Sequence, residues 1–159
     1  DCLLSRGLGD VYKRQKQQNI QVVLDGMVSV VTDGTGRGVF AGAGYTSGGK
    51  TGTAQAVTIG QKDRYDAKRL AERQRDHGLY LAFAPAQNPQ LVVAAIVENA
   101  GWGAQVAAPI VRRVFDYALL GQYPSEQDIA AVRQGRGGPP LGTPRAAADI
   151  PLVPIASGD

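Results

Sequence analysis

Apolar residues recur at three- and four-residue intervals from Asn19 onward. Ile20, Val23, Leu24, Met27, Val30 and Val31 form one stripe of a helix. Asn19 suits its N-cap, because a short amide side chain accepts from the first free N–H groups. Asp33-Gly34-Thr35-Gly36-Arg37-Gly38 then ends the helix. These glycines do not make a dinucleotide fingerprint, since no strand leads into them and their spacing differs. Beyond this loop the period shortens. A strand is expected within residues 45–57, a second over 79–85, where large and small groups alternate, and a third, more buried one over 91–98. The turn Asn88-Pro89 makes the last two an antiparallel hairpin. A polar insert, 60–78, separates the first two strands. Within it, 65–76 reads as a charged helix docked loosely through Tyr65, Ala67 and Leu70. A solvated face explains its arginines more simply than an acidic partner does. After the glycine-rich loop 99–103, Pro109 opens a last helix through Ile110, Val111, Val114, Phe115, Ala118 and Leu119, with Gly121 beyond its end.

This order predicts an α+β fold: an antiparallel sheet, three strands from residue 45 on, packed by an N-terminal and a C-terminal helix. Residues 16–122 form its body. After Tyr123 a weak helical segment, 126–133, runs into Gly135-Arg136-Gly137-Gly138-Pro139-Pro140 and an Ala/Pro-rich end. That composition predicts a disordered tail over 123–159. Residues 1–15 show no period and resemble a translated sequencing or cloning adapter, so they are set aside and the native chain is expected to begin near Lys16.

Composition narrows the function only slightly. The chain has 159 residues, enough for one small domain, and a net charge of +3, too mild to point to nucleic acid. Its single cysteine, Cys2, leaves no internal disulfide and no cysteine-based zinc site. No apolar run approaches the ~20 residues of a spanning helix. No cofactor is indicated.

The chemistry concentrates in Ser47-Gly48-Gly49-Lys50-Thr51-Gly52-Thr53-Ala54-Gln55, where three motifs overlap. Gly44 to Thr51 satisfies the G-x-x-x-x-G-K-[ST] phosphate loop, which requires a helix to leave the loop. Gly52 and the following β-branched residues favour a strand instead. Ser47-x-x-Lys50 matches the S-x-x-K of serine acyl-enzymes, but Gly48-Gly49 disfavours the helical turn that motif needs. Lys50-Thr51-Gly52 is the K-T-G element. On a strand, Lys50 and Gly52 share one face and Thr51 points to the other. The Lys50 ammonium favours a substrate carboxylate and lowers a neighbouring hydroxyl's pKa. Gly52 lets a substrate backbone lie close, and the Thr53 N–H can face a developing oxyanion.

Together with Tyr65-Asp66, the run 71–79, Ala82-Phe83-Ala84-Pro85, Asn88-Pro89 and Glu98-Asn99, this element resembles the penicillin-binding transpeptidase family over about residues 19–121. Within it, the likeness is to the penicillin-binding protein 2 group of class B, elongation-specific peptidoglycan D,D-transpeptidases. The resemblance implies a partial penicillin-binding-protein/β-lactamase-like fold and a periplasmic location at the bacterial inner membrane, with the anchor upstream. It also implies a serine acyl-enzyme that cross-links peptide stems and is acylated by β-lactams. The implied partners are a rod-shape glycosyltransferase and elongasome scaffold proteins. Lys50, Thr51, Gly52 and Thr53 would bind substrate, with Lys50 and the Thr53 N–H acting in catalysis. A D-Ala-D-Ala carboxypeptidase or β-lactamase of the same fold is the nearer alternative.

None of Ser5, Ser29, Ser47, Ser125 or Ser157 begins a helical Ser-x-x-Lys or a Ser-x-Asn. The nucleophile and its base would therefore lie upstream of Lys16, and the chain alone is expected to be inactive. Without that upstream part, one face of the sheet should expose apolar surface. His77, the sole histidine, reads as a structural hydrogen-bonding group at a strand entrance. Trp102 suits either substrate stacking or anchoring of its loop. Glu98 and Asp116 have no visible carboxylate partner, so no acid/base pair is assigned.

Overall fold

A computed structural model describes residues 16–57, 70–134 and 136–149. The first helix, α1 (Gln17–Thr32), is capped by Lys16 rather than by Asn19, which sits inside its first turn and bonds to the Lys16 carbonyl at 2.9 Å. A short helix, α2 (Arg37–Phe40), fills the glycine loop. Three strands follow, β1 (Gly48–Ala54), β2 (His77–Ala84) and β3 (Leu91–Val97), antiparallel in the order β1-β2-β3. A one-turn helix, α3 (Gly103–Val106), leads into α4 (Ala108–Leu120), which ends on Gly121 in the left-handed region at φ 62°. The hairpin, the last helix and its glycine stop match the sequence expectation.

Register explains the two faces of the sheet. Thr51 pairs with Tyr80, and Tyr80 with Ala95; Gly49, Ala82 and Val93 form the next row. This face is the core. Tyr80, Ala82 and Ala84 pack with Val39, Phe40, Ala107, Ala108, Val111 and Phe115, and Phe40 stacks on Tyr80 with ring centroids 5.9 Å apart. The opposite face carries Lys50, Leu81 and Ala94 in one row and Gly52, Leu79 and Ile96 in the next. It lies open. Val92 is 65% and Ile96 66% exposed, so β3 alternates rather than being buried on both faces. Continuous apolar composition misled here, because it predicts a strand covered on both sides.

Two further differences matter. The stripe on the last helix places Ile110 and Val114 inward, yet both are exposed, while Arg112 and Asp116 are buried. The helical segment expected at 126–133 forms within the tail, and the disorder expected around it is corrected over the described part. β4 (Gln122–Tyr123) pairs with β5 (Arg145–Ala146), and α5 (Glu126–Arg133) is N-capped by Ser125, whose Oγ accepts from the Asp128 N–H at 3.0 Å. A 3-10 turn, Ala147–Asp149, follows. Of the charged helix expected at 65–76, residues 65–69 lie outside the described residues, and only the 3-10 turn Glu72–Gln74 forms in the remainder. Among the described residues no helix is long and apolar enough to cross a membrane.

Candidate active site

β1 is one of the two edge strands of the sheet. It pairs with β2 on one side, and α1 packs against it. Lys50 is exposed on the open face, opposite Leu81, and its Nζ donates to the Thr51 carbonyl oxygen at 2.8 Å. Thr51 points to the core face beside Tyr80 and is half-buried. Gly52 faces Leu79, whose Cβ would lie 3.2 Å from any Cβ at position 52. Thr53 is exposed on the same face as Thr51, paired with Gly78. The local arrangement therefore presents a cation on the open face and, two residues on, a glycine against which the Leu79 side chain packs.

The same geometry removes the other two motif readings. Gly48 and Gly49 are ladder residues, paired with Phe83 and Ala82, so Lys50-Thr51 lies inside a strand and not at a helix start. A phosphate loop needs the helix N-terminus that is missing here. The glycines are required by packing: a Cβ at Gly49 would run into the Tyr80 hydroxyl, and one at Gly48 into the Phe83 ring. Ser47 is buried immediately before β1, and in an extended chain it falls on the opposite side from Lys50. It cannot form the helical Ser-Lys pair.

His77 opens β2 and its Nδ1 accepts the Asn99 N–H at 2.9 Å, so the neutral ring carries its proton on Nε2. This bond holds Asn99 at φ 56° in the turn after β3. Trp102 is 68% exposed and does not anchor its loop by burial. Its carbonyl instead accepts from the Gln105 and Val106 N–H groups at the start of α3. Glu98 is exposed.

Asp116 lies in a polar network that sequence reasoning missed. It is fully buried and receives Arg112 Nε at 2.6 Å and Arg113 Nη1 at 2.8 Å. The Tyr45 hydroxyl donates to it at 3.0 Å. Arg112 also donates to the carbonyl of Val39 at 3.1 Å, fastening α2 to α4. Arg113 reaches on to Asp128 and to the Gly142 carbonyl, fastening α5 and the segment beyond it. Burial first, then the negative charge of Asp116, push the Tyr45 phenol well above its ordinary pKa. The available signal was the spacing Arg112-x-x-x-Asp116, one helical turn of opposite charge. Among the described residues no group of three His, Cys, Asp or Glu is placed to hold a metal.

Comparison with known proteins bears on the family and the fold. The model of the penicillin binding protein transpeptidase domain matches residues 11–116. Peptidoglycan D,D-transpeptidase MrdA of Haemophilus influenzae is 45% identical over 101 residues, 62% of this chain and 16% of the relative. Its counterpart in Acinetobacter baumannii is 47% identical over 96 residues, 60% of this chain and 14% of the relative. The crystal structure of Pseudomonas aeruginosa PBP2 in complex with WCK 5153 aligns with a TM-score of 0.54 at 41% identity, covering 67% of this chain and 21% of that one. A Helicobacter pylori PBP2, solved in complex with MreC, aligns at 0.51 and 25% identity, covering 65% and 18%. The chain thus spans about a sixth of the length of these curated relatives and about a fifth of these solved chains. With a family match over residues 11–116, two thirds of its length, the chain belongs to the penicillin-binding protein transpeptidase domain family.

Proposed function

We propose that this chain supplies the K-T-G side of a serine D,D-transpeptidase centre that cross-links peptidoglycan stem peptides and is acylated by β-lactams. One observation carries this reading: Lys50-Thr51-Gly52-Thr53 lies on an edge strand, with Lys50 exposed on the open sheet face. In this role the Lys50 ammonium, exposed on the open face, attracts the substrate carboxylate, while Thr51 on the core face lies away from it. Gly52 leaves clearance for the peptide backbone, and the Thr53 N–H donates to the oxyanion that develops at the attacked carbonyl. The nucleophilic serine, its lysine and the Ser-x-Asn element come from sequence upstream of Lys16. A group that acts as a unit loses nearly all activity when its nucleophile is missing, so the chain by itself is inactive. The setting belonging to this reading is the periplasmic face of the bacterial inner membrane with a rod-shape glycosyltransferase, and a scaffold partner of the MreC type is supported by the Helicobacter pylori complex.

A chimera tests the proposal. The 101 matching residues of the Haemophilus relative are replaced by those of this chain, and covalent labelling by a fluorescent penicillin is measured. Labelling is expected, and Lys50→Ala in the chimera should slow it by about a hundredfold or more, the scale of losing one preorganised electrostatic contact. A folded chimera that takes no label would sink the reading.

A further inference from the structure

Helices α4 and α5 face each other across an open groove. Ile110, Val114 and Tyr117 of α4 line one wall, Ile129 and Val132 of α5 the other, and all but Ile129 are exposed. The pairing of Arg113 with Asp128 ties the helices together without closing the gap. Contacts at the two ends set the direction. Tyr117 stands edge to face with Tyr123, just before α5, at ring centroids 5.1 Å apart. Beyond α5, a Cβ at Gly138 would lie 3.2 Å from the carbonyl oxygen of Gln105 in α3, just before α4. The two helices therefore run antiparallel, and the groove has a tyrosine end and an arginine end, where Arg133 and Arg136 join its lining.

We propose that this groove receives an acidic amphipathic helix of a partner protein, with its apolar stripe between α4 and α5 and its carboxylates over Arg133 and Arg136. Shape argues for a helix. The volume, about 1230 Å³, exceeds the roughly 300–1,000 Å³ of small-molecule sites. The eight residues of α5 give a wall about 12 Å long, and a helix of that length and about 10–12 Å across fills roughly 900–1,400 Å³. Ile110, Val114 and Tyr117 are spaced four and three apart, the rows between which a partner helix seats its own stripe at i, i+3, i+4 and i+7. Charge argues for acid. Three arginines line the groove against one carboxylate, Asp128, which Arg113 already engages. Neither Arg133 nor Arg136 has a carboxylate partner among the described residues, and both are exposed. An occupant that neutralises them carries its acid at one end, because the tyrosine end has no charged lining. A second copy fits this less well, since it brings a net charge of +3 to the same arginines. This inference stands independently of the transpeptidase reading.

Fluorescence anisotropy with the full 159-residue chain decides it. The probe is a fluorescein-labelled peptide of about fourteen residues, the length at which a helix begins to hold in water. It carries leucines alternately three and four apart and glutamates in one terminal turn, and its counterparts carry glutamine or lysine in place of glutamate. The Glu peptide is expected to bind at least about tenfold tighter than the Lys peptide, and Arg133→Glu with Arg136→Glu should reverse that order. Val132→Asn, at an exposed position, should weaken the Glu peptide about tenfold, which simple attraction to a basic surface would not produce. A proline at the centre of the peptide should abolish binding by breaking its helix. Circular dichroism and a thermal melt check each variant. If the glutamate pair does not fold, Arg133→Gln with Arg136→Gln replaces it and should level the Glu and Lys peptides. Failure of the Glu peptide to bind, or equal affinity for all three peptides, would overturn the proposal. So would binding indifferent to Val132→Asn or to the central proline. A concentration-dependent dimer that Val132→Asn dissolves would overturn it as well, and would make the occupant a second copy.

Discussion

Gly103 is seated directly on Gly52. A Cβ at position 103 would lie 2.7 Å from the Gly52 carbonyl oxygen and closer still to that of Leu79. The loop after β3 is thereby pressed against the strand that carries Lys50. Gly103→Ala must push α3 away from two strands of backbone that cannot yield as a flexible side chain would. A loss of about 1–3 kcal/mol is expected, the range for overpacking, read as a lower denaturation midpoint at unchanged m-value. A variant as stable as the parent would show that α3 docks more loosely than this contact implies.

Asp116 holds two arginines in the interior. Asp116→Ala leaves the buried Arg112 without its counter-ion and Tyr45 without its acceptor. Removing one partner of a buried pair costs about 3–5 kcal/mol, so urea unfolding of this variant should begin near zero denaturant. A loss under 1 kcal/mol would mean that water reaches the arginines.

Arg113 joins the body of the fold to the segment after Tyr123. Arg113→Ala removes its contacts to Asp128 and Gly142 and should release α5 while leaving the sheet intact. Hydrogen exchange reads this directly: amides of α5 should lose protection about tenfold or more, and those of β2 should not. Equal loss in both would show that the two parts unfold together.

Tyr80 sets an alkaline limit. Burial raises its phenol from 10.0 to about 12, so the folded state holds a proton that the unfolded chain gives up near pH 10. The stability tied to that proton is therefore whole below pH 10 and is lost as pH rises toward 12, on the order of 2–3 kcal/mol. The hydroxyl is buried with no hydrogen-bond partner among the described residues, so Tyr80→Phe should be neutral or slightly stabilising at pH 7 and should flatten this loss. Gly49→Ala, which drives a Cβ into that hydroxyl, should cost less in the Tyr80→Phe background than in the parent. Additive effects would contradict the contact.

Much of the frame was legible in the sequence because it is local. Pro109 and Gly121 bracket α4, Asn88-Pro89 turns the hairpin, and Gly52 before a β-branched run kept Lys50-Thr51 on a strand rather than at a helix start. What escaped is held by distant partners. Composition shows the weak helix at 126–133 but reads the tail around it as unable to fold, since Ser125, Asp128 and Gly142 gain their meaning only when Arg113, far back in the chain, reaches them. Tyr45 stands at the margin of the range 45–57 within which the first strand is expected. It lies before β1, with its hydroxyl turned to Asp116 and its ring set edge-on to Phe115 at 5.9 Å. A hydrophobic stripe also cannot tell a covered face from an open one, and so the inward face of α4 was misassigned at Ile110 and Val114. At the site, the strand carrying Lys50 was readable, but the glycine seat beneath it was not, because close approach of two backbones leaves no pattern in a single segment.

Helix α1 has sixteen residues, none of them buried. Its grip on the fold comes late, where Val31 meets the core and the chain turns back through Gly36 beneath the Tyr80 hydroxyl. The rest of the helix lies against β1 with Ile20, Leu24 and Met27 only half-buried, and Val22 and Val23 stand in solvent. The flank of β1 beside Lys50 is therefore the most compliant boundary of the site, and anything that settles against that strand meets a neighbour able to give way.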